Sequence, residues 1–148
     1  NDDSFAPKYD MKPKQSTNMF AWSRITDLPD ALERAGVSLD FSNVISEANQ
    51  TFMSSKLQHI GVIDFSNLIS VSYLFTDCNK LETVDKFILS DKMKILHSSC
   101  FQNCTALKNI TFEGTIPKSI NLAQSTLLTT TFERRPFSLF ISVTVWLK

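Results

Sequence analysis

A seven-residue phrase occurs twice in this chain of 148 residues. It reads DFSNVIS at 40–46 and DFSNLIS at 64–70, so that only the aliphatic pair Val44 and Leu68 differs. A phrase that returns after about 24 residues lies in the range of repeat proteins, whose units must stack on a neighbour to bury their apolar faces. The duplication therefore favours a stacked scaffold that presents a surface over a fold built around one catalytic pocket.

A second phrase extends the repeat to four units. Two copies read F-x-x-C-x-x-L-x-x-[VI] and begin at Phe75 and Phe101, and two copies one residue shorter begin at Phe20 and Phe52. The copies are unequally spaced but keep their apolar positions, which places the differences in length in loops. A stacked repeat needs about three units to hold together, so four are sufficient. We expect the rings at 52, 75 and 101 to lie in one column.

The composition restricts the class of protein. Twelve phenylalanines against two tyrosines and two tryptophans suit a dry interior, because Phe carries no polar atom. Fifteen basic and fifteen acidic residues give no basic excess, so we expect no nucleic-acid partner. The longest apolar stretch, 137–147, is shorter than the about twenty residues of a membrane-spanning helix. Three cysteines argue against a disulfide framework. No signal peptide is visible, and we expect a fragment or a processed form.

Three regions are predicted along the chain. Residues 1–18 are a lead-in or N-terminal cap, 19–116 hold about four repeat units, and 117–148 form a C-terminal cap. In the first unit, strong helix formers from Asp30 to Ala35 precede Gly36, a residue typical of the position after a helix. We therefore predict a short helix inserted there.

Within the units, the apolar pieces are too short for amphipathic helices. Those at 60–63 and 110–112 predict strands of three to four residues. Asp, Ser and Asn follow each piece and favour turns, because their side chains bond to nearby backbone groups. Residues 72–75 and 98–101 are expected to form tight turns or short helices that bring a phenylalanine inward.

The end of the chain departs from the repeat phrase. Apolar and polar residues alternate from Phe137 to Lys148, and this period of two is typical of a half-buried strand. We predict an edge strand within a cap that covers the last unit, since an open end would expose unpaired backbone and apolar surface. The alternative is self-pairing, in which this strand pairs with another chain.

The repeated phrases resemble a known family. The second phrase, with Asn103 before Cys104, resembles the BspA-type (Treponema pallidum-type) leucine-rich repeats, and the DFSN phrase resembles related repeats of bacterial surface proteins and phage-tail-associated proteins. The resemblance covers about residues 19–116 and implies a right-handed solenoid with short parallel strands and short helical turns. It also implies a mostly non-enzymatic protein, outside the cell or on its surface, whose sheet face binds host proteins, matrix components or other bacteria. The unequal spacing and the last thirty residues depart from the pattern.

Cysteine and histidine side chains raise two sharper alternatives, a zinc site and a nucleophile. His97, Cys100 and Cys104 lie close in sequence, but zinc requires four ligands, usually in paired short spacings. A thiol activated by His59 or His97 would also need an oxyanion hole, for which no motif is present. Cys78 and Cys104 each follow their phenylalanine by three residues, which predicts equivalent inward positions as small apolar side chains. We therefore predict no metal, no cofactor and no catalytic residue.

The function expected from the sequence is that of a non-catalytic leucine-rich-repeat module for adhesion or recognition. Its partner would be a protein or a surface glycan, bound by the sheet side. The predicted binding residues fill the variable positions between apolar anchors: Gln58, His59, Glu82, Thr83, Lys108 and Asn109. The alternative is a structural or assembly segment of a larger surface or phage-tail protein. An enzyme is a third hypothesis, which rapid labelling of one cysteine by a thiol probe would favour.

Overall fold

The strands of the largest sheet follow one another in chain order. The computed structural model describes residues 7–46, 48–93, 95–114, 119–121, 129–134 and 144–146. Its strands are β1 (Tyr9–Met11), β2 (Val37–Leu39), β3 (His59–Phe65), β4 (Thr83–Leu89), β5 (Ile95–Leu96), β6 (Asn109–Gly114), β7 (Ser119–Asn121), β8 (Thr129–Arg134) and β9 (Thr144–Trp146). Its helices are α1 (Leu28–Ala35) and a single 3₁₀ turn, Ser98–Phe101.

All strand pairs of the described residues are parallel. The main sheet has the order β3-β4-β6-β8, a second sheet has the order β5-β7-β9, and β1 pairs with β2. In the main sheet, His59 pairs with Thr83, Thr83 with Asn109, and Asn109 with Thr129. Between parallel neighbours the chain must return to the same end of the sheet. The units that begin at Phe52, Phe75 and Phe101 therefore each contribute one strand at an equivalent position.

The predicted column of phenylalanine rings is confirmed. The ring of Phe52 stacks on Phe20 at 5.7 Å and on Phe75 at 5.3 Å, and Phe75 stacks on Phe101 at 5.2 Å. We number the units 1 to 4 by these residues, in chain order. The anchors predicted for units 2 to 4 are all buried: Phe52, Leu57, Ile60, Phe75, Cys78, Leu81, Val84, Phe101, Cys104, Leu107 and Ile110.

A second column, which the sequence did not reveal, lies beside the first. Its rings are Phe41, Phe65, Phe87 and Phe112, with neighbouring centroids 5.2, 6.0 and 5.8 Å apart. The two columns meet edge to face, as at Phe75 and Phe87, whose planes are 90° apart. Edge-to-face contact suits the charge distribution of aromatic rings. Eight of the twelve phenylalanines thus form one continuous core.

Backbone hydrogen bonds join the turns that carry the first column. The N–H groups of Phe20, Phe52 and Phe75 donate to the carbonyls of Thr51, Leu74 and Cys100, at 2.7, 3.0 and 2.8 Å. Residues two positions before or after these phenylalanines have positive φ: Asn18, Trp22, Gln50, Ser54, Tyr73, Asp77 and, after Phe101, Asn103. A left-handed residue on each side curls the chain tightly and directs the ring between them inward. The ladder fixes the distance between units at this corner, whatever the loop lengths.

The helix predicted in unit 1 is confirmed, and it begins slightly earlier than expected. Asp27 caps its N-terminus, where the side chain accepts from the N–H of Asp30, and Pro29 occupies the first turn. Gly36 ends the helix with φ 68°, a conformation that glycine adopts without a steric penalty. Leu28 is the helix residue buried against the core. In unit 1 the helix thus occupies the position at which units 2 to 4 have a strand.

The strands are longer than predicted. β3 and β4 have seven residues and β6 has six, against the three to four expected. In β3 the buried residues Ile60 and Ile63 are separated by two outward-facing positions, and the register between β4 and β6 shifts between Val84 and Phe87. An irregularity of this kind interrupts the period of two. The sequence pattern therefore hid the second half of β3 and of β4.

The duplicated heptapeptide stacks on itself. Its two aspartates each bend the chain in the same way: Asp40 accepts from the N–H of Ser42 at 2.8 Å, and Asp64 from that of Ser66 at 2.9 Å. The two copies are joined by the N–H of Ile69, which donates to the carbonyl of Ile45. The turns predicted from Asp, Ser and Asn are confirmed here.

Both ends of the chain add strands to the units. β1 lies within the predicted lead-in 1–18 and pairs with β2. β8 extends the main sheet beyond β6, and β9 is the outer strand of the second sheet. Of the alternating segment from Phe137 to Lys148, residues 144–146 are described and form β9; the remainder of that prediction lies outside the described residues. Whether this segment caps the last unit or pairs with another chain stays a prediction.

Candidate binding face

The six residues predicted to bind a partner lie together on the outer side of the main sheet. They form two rows across units 2 to 4, the first Gln58, Glu82 and Lys108, the second His59, Thr83 and Asn109. All six are exposed or half-buried. We call this group, with the outward residues of β3, β4 and β6 beside it, the sheet face.

The rows are held in register by a repeated backbone arrangement at the start of each strand. The carbonyl of Gln58 accepts from the N–H groups of both Glu82 and Thr83, at 2.8 and 3.2 Å. Glu82 does the same for Lys108 and Asn109, at 2.9 and 3.1 Å. Because the anchors Ile60, Val84 and Ile110 are buried nearby, the residues just before them must face outward.

Ion pairs between neighbouring strands fix the charges of the sheet face. Lys108 Nζ lies 2.8 Å from Glu82 Oε2, and Lys86 Nζ lies 2.7 Å from Glu113 Oε2. Exposed pairs of this kind contribute little to stability, about 0–1 kcal/mol. Their main consequence is the position of the charges: each cation is placed beside an anion of the adjacent unit.

His59 has an unusual position between two carboxylates. Its Nδ1 lies 2.8 Å from Asp27 Oδ2, and its Nε2 lies 2.8 Å from Asp85 Oδ2. Partial burial disfavours the charged imidazole, but the hydrogen bonds and charges of Asp27 and Asp85 outweigh it and raise the pKa of His59 above 6.5. The pKa of Asp27 is lowered, first by the N–H donated from Asp30 and then by the contact with His59.

Helix α1 brings Asp27 to this site. Asp27 forms a parallel bridge with His59, so that it occupies in unit 1 the position that His59 occupies in unit 2. The helix lies close against β3, because a Cβ added to Gly61 would meet Pro29 Cγ at 2.9 Å. The absence of a side chain at Gly61 therefore allows Asp27 to reach the imidazole.

Sequence reasoning missed part of this face. Asp85 lies two residues after Thr83 on β4, and the period of two would have placed it on the same side. Asp27 directly precedes the apolar anchor Leu28, as His59 directly precedes the anchor Ile60. The aligned phrases contain this signal, but in unit 1 the helix formers that follow obscure it. Val62, which is 61% exposed, was predicted as a strand residue and not as part of a surface.

The cysteines occupy the inward positions predicted for Cys78 and Cys104. Each thiol donates to the carbonyl of the phenylalanine one unit earlier, Cys78 to Phe52 at 2.9 Å and Cys104 to Phe75 at 3.0 Å. Burial raises the pKa of Cys78 and of Cys100 to about 11, and that of Cys104 further. These thiols are therefore protonated at neutral pH, which disfavours both metal ligation and nucleophilic attack.

The nearby histidine has a local structural contact. His97 precedes the 3₁₀ turn, and its Nδ1 lies 2.9 Å from the hydroxyl oxygen of Ser99. Among the residues that the structure describes, no three His, Cys, Asp or Glu side chains are grouped so that they could hold a metal ion. In the same part of the chain, no helix is long and apolar enough to cross a bilayer.

We expect the three thiols to react with Ellman's reagent very slowly in the native protein at about pH 8. Since thiolate is the reacting form, a pKa near 11 lowers the rate by about 100-fold or more relative to a free thiol, before steric protection is counted. The measurement is the release of the coloured thiolate with and without denaturant. Denatured protein should show three reactive thiols. One thiol that reacts rapidly in the native state would contradict the inward assignment and revive the enzyme hypothesis.

Comparison of this chain with protein-family models, curated proteins and solved structures gives no match.

Proposed function

We propose that this chain is a non-catalytic leucine-rich-repeat module of the BspA type, which binds a protein or a surface glycan through the sheet face. In this proposal the chain is a right-handed solenoid. The support is the order of the strands: β3, β4, β6 and β8 are parallel neighbours in chain sequence, and connections between parallel strands of one sheet are right-handed in nearly all proteins. Such a module acts where its partner is, outside the cell or on its surface.

The observation that carries the binding proposal is the pair of polar rows on a rigid backbone. Neighbouring strands are about 4.8 Å apart, so the rows present hydrogen-bonding groups at a regular spacing. The ion pair between units 3 and 4 holds two of these groups, Glu82 and Lys108, together. A partner that binds preordered side chains loses less conformational entropy on association. Val62 adds an exposed apolar side chain among them, and interfaces commonly combine an apolar contact with a polar rim.

A charge swap within one ion pair tests the proposal. The double variant Glu82→Lys, Lys108→Glu keeps the pair and the net charge but reverses the two charges on the sheet face. We expect an unchanged Tm and at least a tenfold loss of affinity, about 1.4 kcal/mol. The probes are a glycan array and immobilised matrix proteins, with saturable binding by the unaltered chain as the reference.

The matched control is the same swap in the pair Asp10 of β1 and Lys12, whose side chains are similarly exposed and lie 3.4 Å apart; Asp10 also accepts an exposed hydrogen bond from Ser38. This control should bind as the unaltered chain does. Equal affinity of all three proteins, or loss in the control alone, would count against the sheet face as the binding surface.

A role in assembly is the second candidate, and the outer strands favour it. β8 and β9 are each the last strand of their sheet among the described residues, and such strands can pair with another chain. Under this proposal the chain self-associates and shows no saturable ligand. Sedimentation at increasing protein concentration separates the two candidates, because a monomer at all concentrations excludes self-assembly under those conditions.

A further inference from the structure

We propose that His59, held as an imidazolium between Asp27 at the start of helix α1 and Asp85 on β4, is a proton-controlled clamp that ties β4 to the helix. Loss of the proton opens the clamp and leaves a carboxylate without its cation on the sheet face. This role goes beyond the proposed function, since it holds whether or not a partner is bound.

The geometry itself requires the doubly protonated ring. Both ring nitrogens lie 2.8 Å from a carboxylate oxygen. An ionised carboxylate only accepts hydrogen bonds, and a neutral imidazole has one N–H and one lone pair. A neutral His59 would therefore point a lone pair at one of the two carboxylates. Asp27 stays ionised, since a backbone N–H also donates to it, so the two contacts are satisfied together when both nitrogens carry a proton.

The clamp connects three elements of the fold. Asp27 is the N-cap of α1, His59 begins β3, and Asp85 lies on β4. Among the described residues, the strand-like contact of unit 1 with β3 is the isolated bridge between Asp27 and His59, beside which the N–H groups of Gln58 and His59 donate to the carbonyl of Thr26. The side-chain contacts of His59 thus supplement a short backbone connection between α1 and the sheet.

Other charged groups near the clamp are engaged with partners of their own. On the helix side, Arg34 pairs with Asp30 at 2.6 Å. On the β4 side, Lys86 pairs with Glu113 of the next strand. At the start of the strands, Glu82 pairs with Lys108. The two carboxylates in direct contact with the ring therefore dominate its surroundings, and both favour the charged form.

The contact with Asp85 is the one expected to open. Asp27 is fixed by its capping bond to the N–H of Asp30, and a neutral ring can still donate Nδ1–H to it. The side chain of Asp85 is more exposed, 51% against 40% for Asp27, so water can replace the ring. Deprotonation thus turns Asp85 into a free carboxylate in the middle of the sheet face.

The direction of the pH dependence follows from these contacts. Because the pKa of His59 is raised by folding, its stabilising contribution is present below the ordinary value of 6.5 and is lost as pH rises through the folded value. The lowered pKa of Asp27 has the opposite effect: its contribution is lost as pH falls below about 3.8. The clamp is therefore closed at mildly acidic pH and opens toward alkaline pH.

The test is an NMR titration of the two histidine rings, with His59→Gln to assign them. We expect the His59 midpoint to lie above 6.5 and to move downward in both Asp85→Asn and Asp27→Asn. Asn is also a good N-cap, so the second variant removes the charge and keeps the helix start. The amide of Gly61, two residues after His59 on β3, should report the same midpoint, because it lies close to the titrating ring.

Thermal unfolding provides the second readout. The Tm of the unaltered chain should exceed that of Asp85→Asn by about 2–4 °C at about pH 5.5, and this difference should largely vanish near pH 9. Lys86→Gln is the matched control, as it removes a neighbouring charge that pairs with Glu113. A His59 midpoint at or below 6.5, a midpoint unchanged in Asp85→Asn, or Tm curves that stay parallel with pH would each overturn the clamp.

Discussion

Replacing Phe75 with alanine is expected to lower the free energy of unfolding by about 3–5 kcal/mol. The ring is fully buried and stacks on Phe52 and Phe101, and its edge contact with Phe87 joins the two columns. Removing it leaves a cavity at the centre of the core, with units on both sides that cannot close it without breaking their backbone ladder. Urea unfolding followed by circular dichroism measures the change.

Phe75→Leu is the matched control, because it keeps an apolar side chain of smaller volume. We expect it to cost about 1–2 kcal/mol. Hydrogen exchange on Phe75→Ala should show reduced protection in β3, β4 and β6 alike, since stacked units are stabilised by their neighbours. An alanine variant that melts like the unaltered chain would show that the ring is not inward. Reduced protection confined to unit 3 would show that the units do not depend on one another.

Replacing Gly114 with alanine is expected to destabilise the fold by about 3 kcal/mol. Gly114 ends β6 with φ 95°, and a Cβ there would lie 2.6 Å from the backbone carbonyl oxygen of Leu89. Alanine adds both an unfavourable φ and a clash with an atom of the paired strand. Since that atom belongs to the ladder between β4 and β6, it cannot move without breaking the pairing.

Gly36→Ala separates the two causes. Gly36 also has a positive φ, 68°, but the nearest atoms to an added Cβ belong to the flexible side chain of Lys8, at 3.6 Å. This control should cost about 1 kcal/mol, from the backbone conformation alone. Thermal unfolding of both variants under the same conditions gives the comparison. Equal losses at the two glycines would mean that the strands separate at Gly114 without penalty.

The sequence was sufficient for the apolar anchors because they recur with little change. Phe52, Phe75 and Phe101 were aligned from their phrases, and burial and stacking confirm the alignment. The helix of unit 1 was also accessible, since helix formers and a following glycine are local signals. Because the units repeat, their alignment predicts which residues distant in sequence stack on one another. A single sequence without repeats does not contain this information.

The second phenylalanine column was not accessible in the same way. Phe41 and Phe65 belong to the duplicated phrase, but Phe87 and Phe112 lie within strands and have different sequence neighbours. Their alignment depends on the irregularity between β4 and β6, which shifts the register by one position. The sequence pattern alone does not show which of two adjacent outward-facing residues is the additional one that shifts the register.

For the sheet face, the sequence predicted where the side chains lie but not what they contact. The variable positions before the apolar anchors predicted all six residues, and the structure brings these residues together in two rows. The partners of His59 were missed because Asp27 comes from a unit whose strand is replaced by a helix. The contact depends on the close approach of Pro29 to Gly61, a property of packing that no spacing rule contains.

The backbone hydrogen bonds at the turns around Phe20, Phe52 and Phe75 follow the same pattern in units 1 to 3, although the segments between these turns differ in length. One corner of the structure is therefore invariant, while the opposite corners accommodate a helix, a strand pair or a plain bend. Insertions in the exposed loops between the ring-bearing turns are therefore expected to cost little, whereas Phe41, Val44 and Ala48 after α1 are buried and must keep their size.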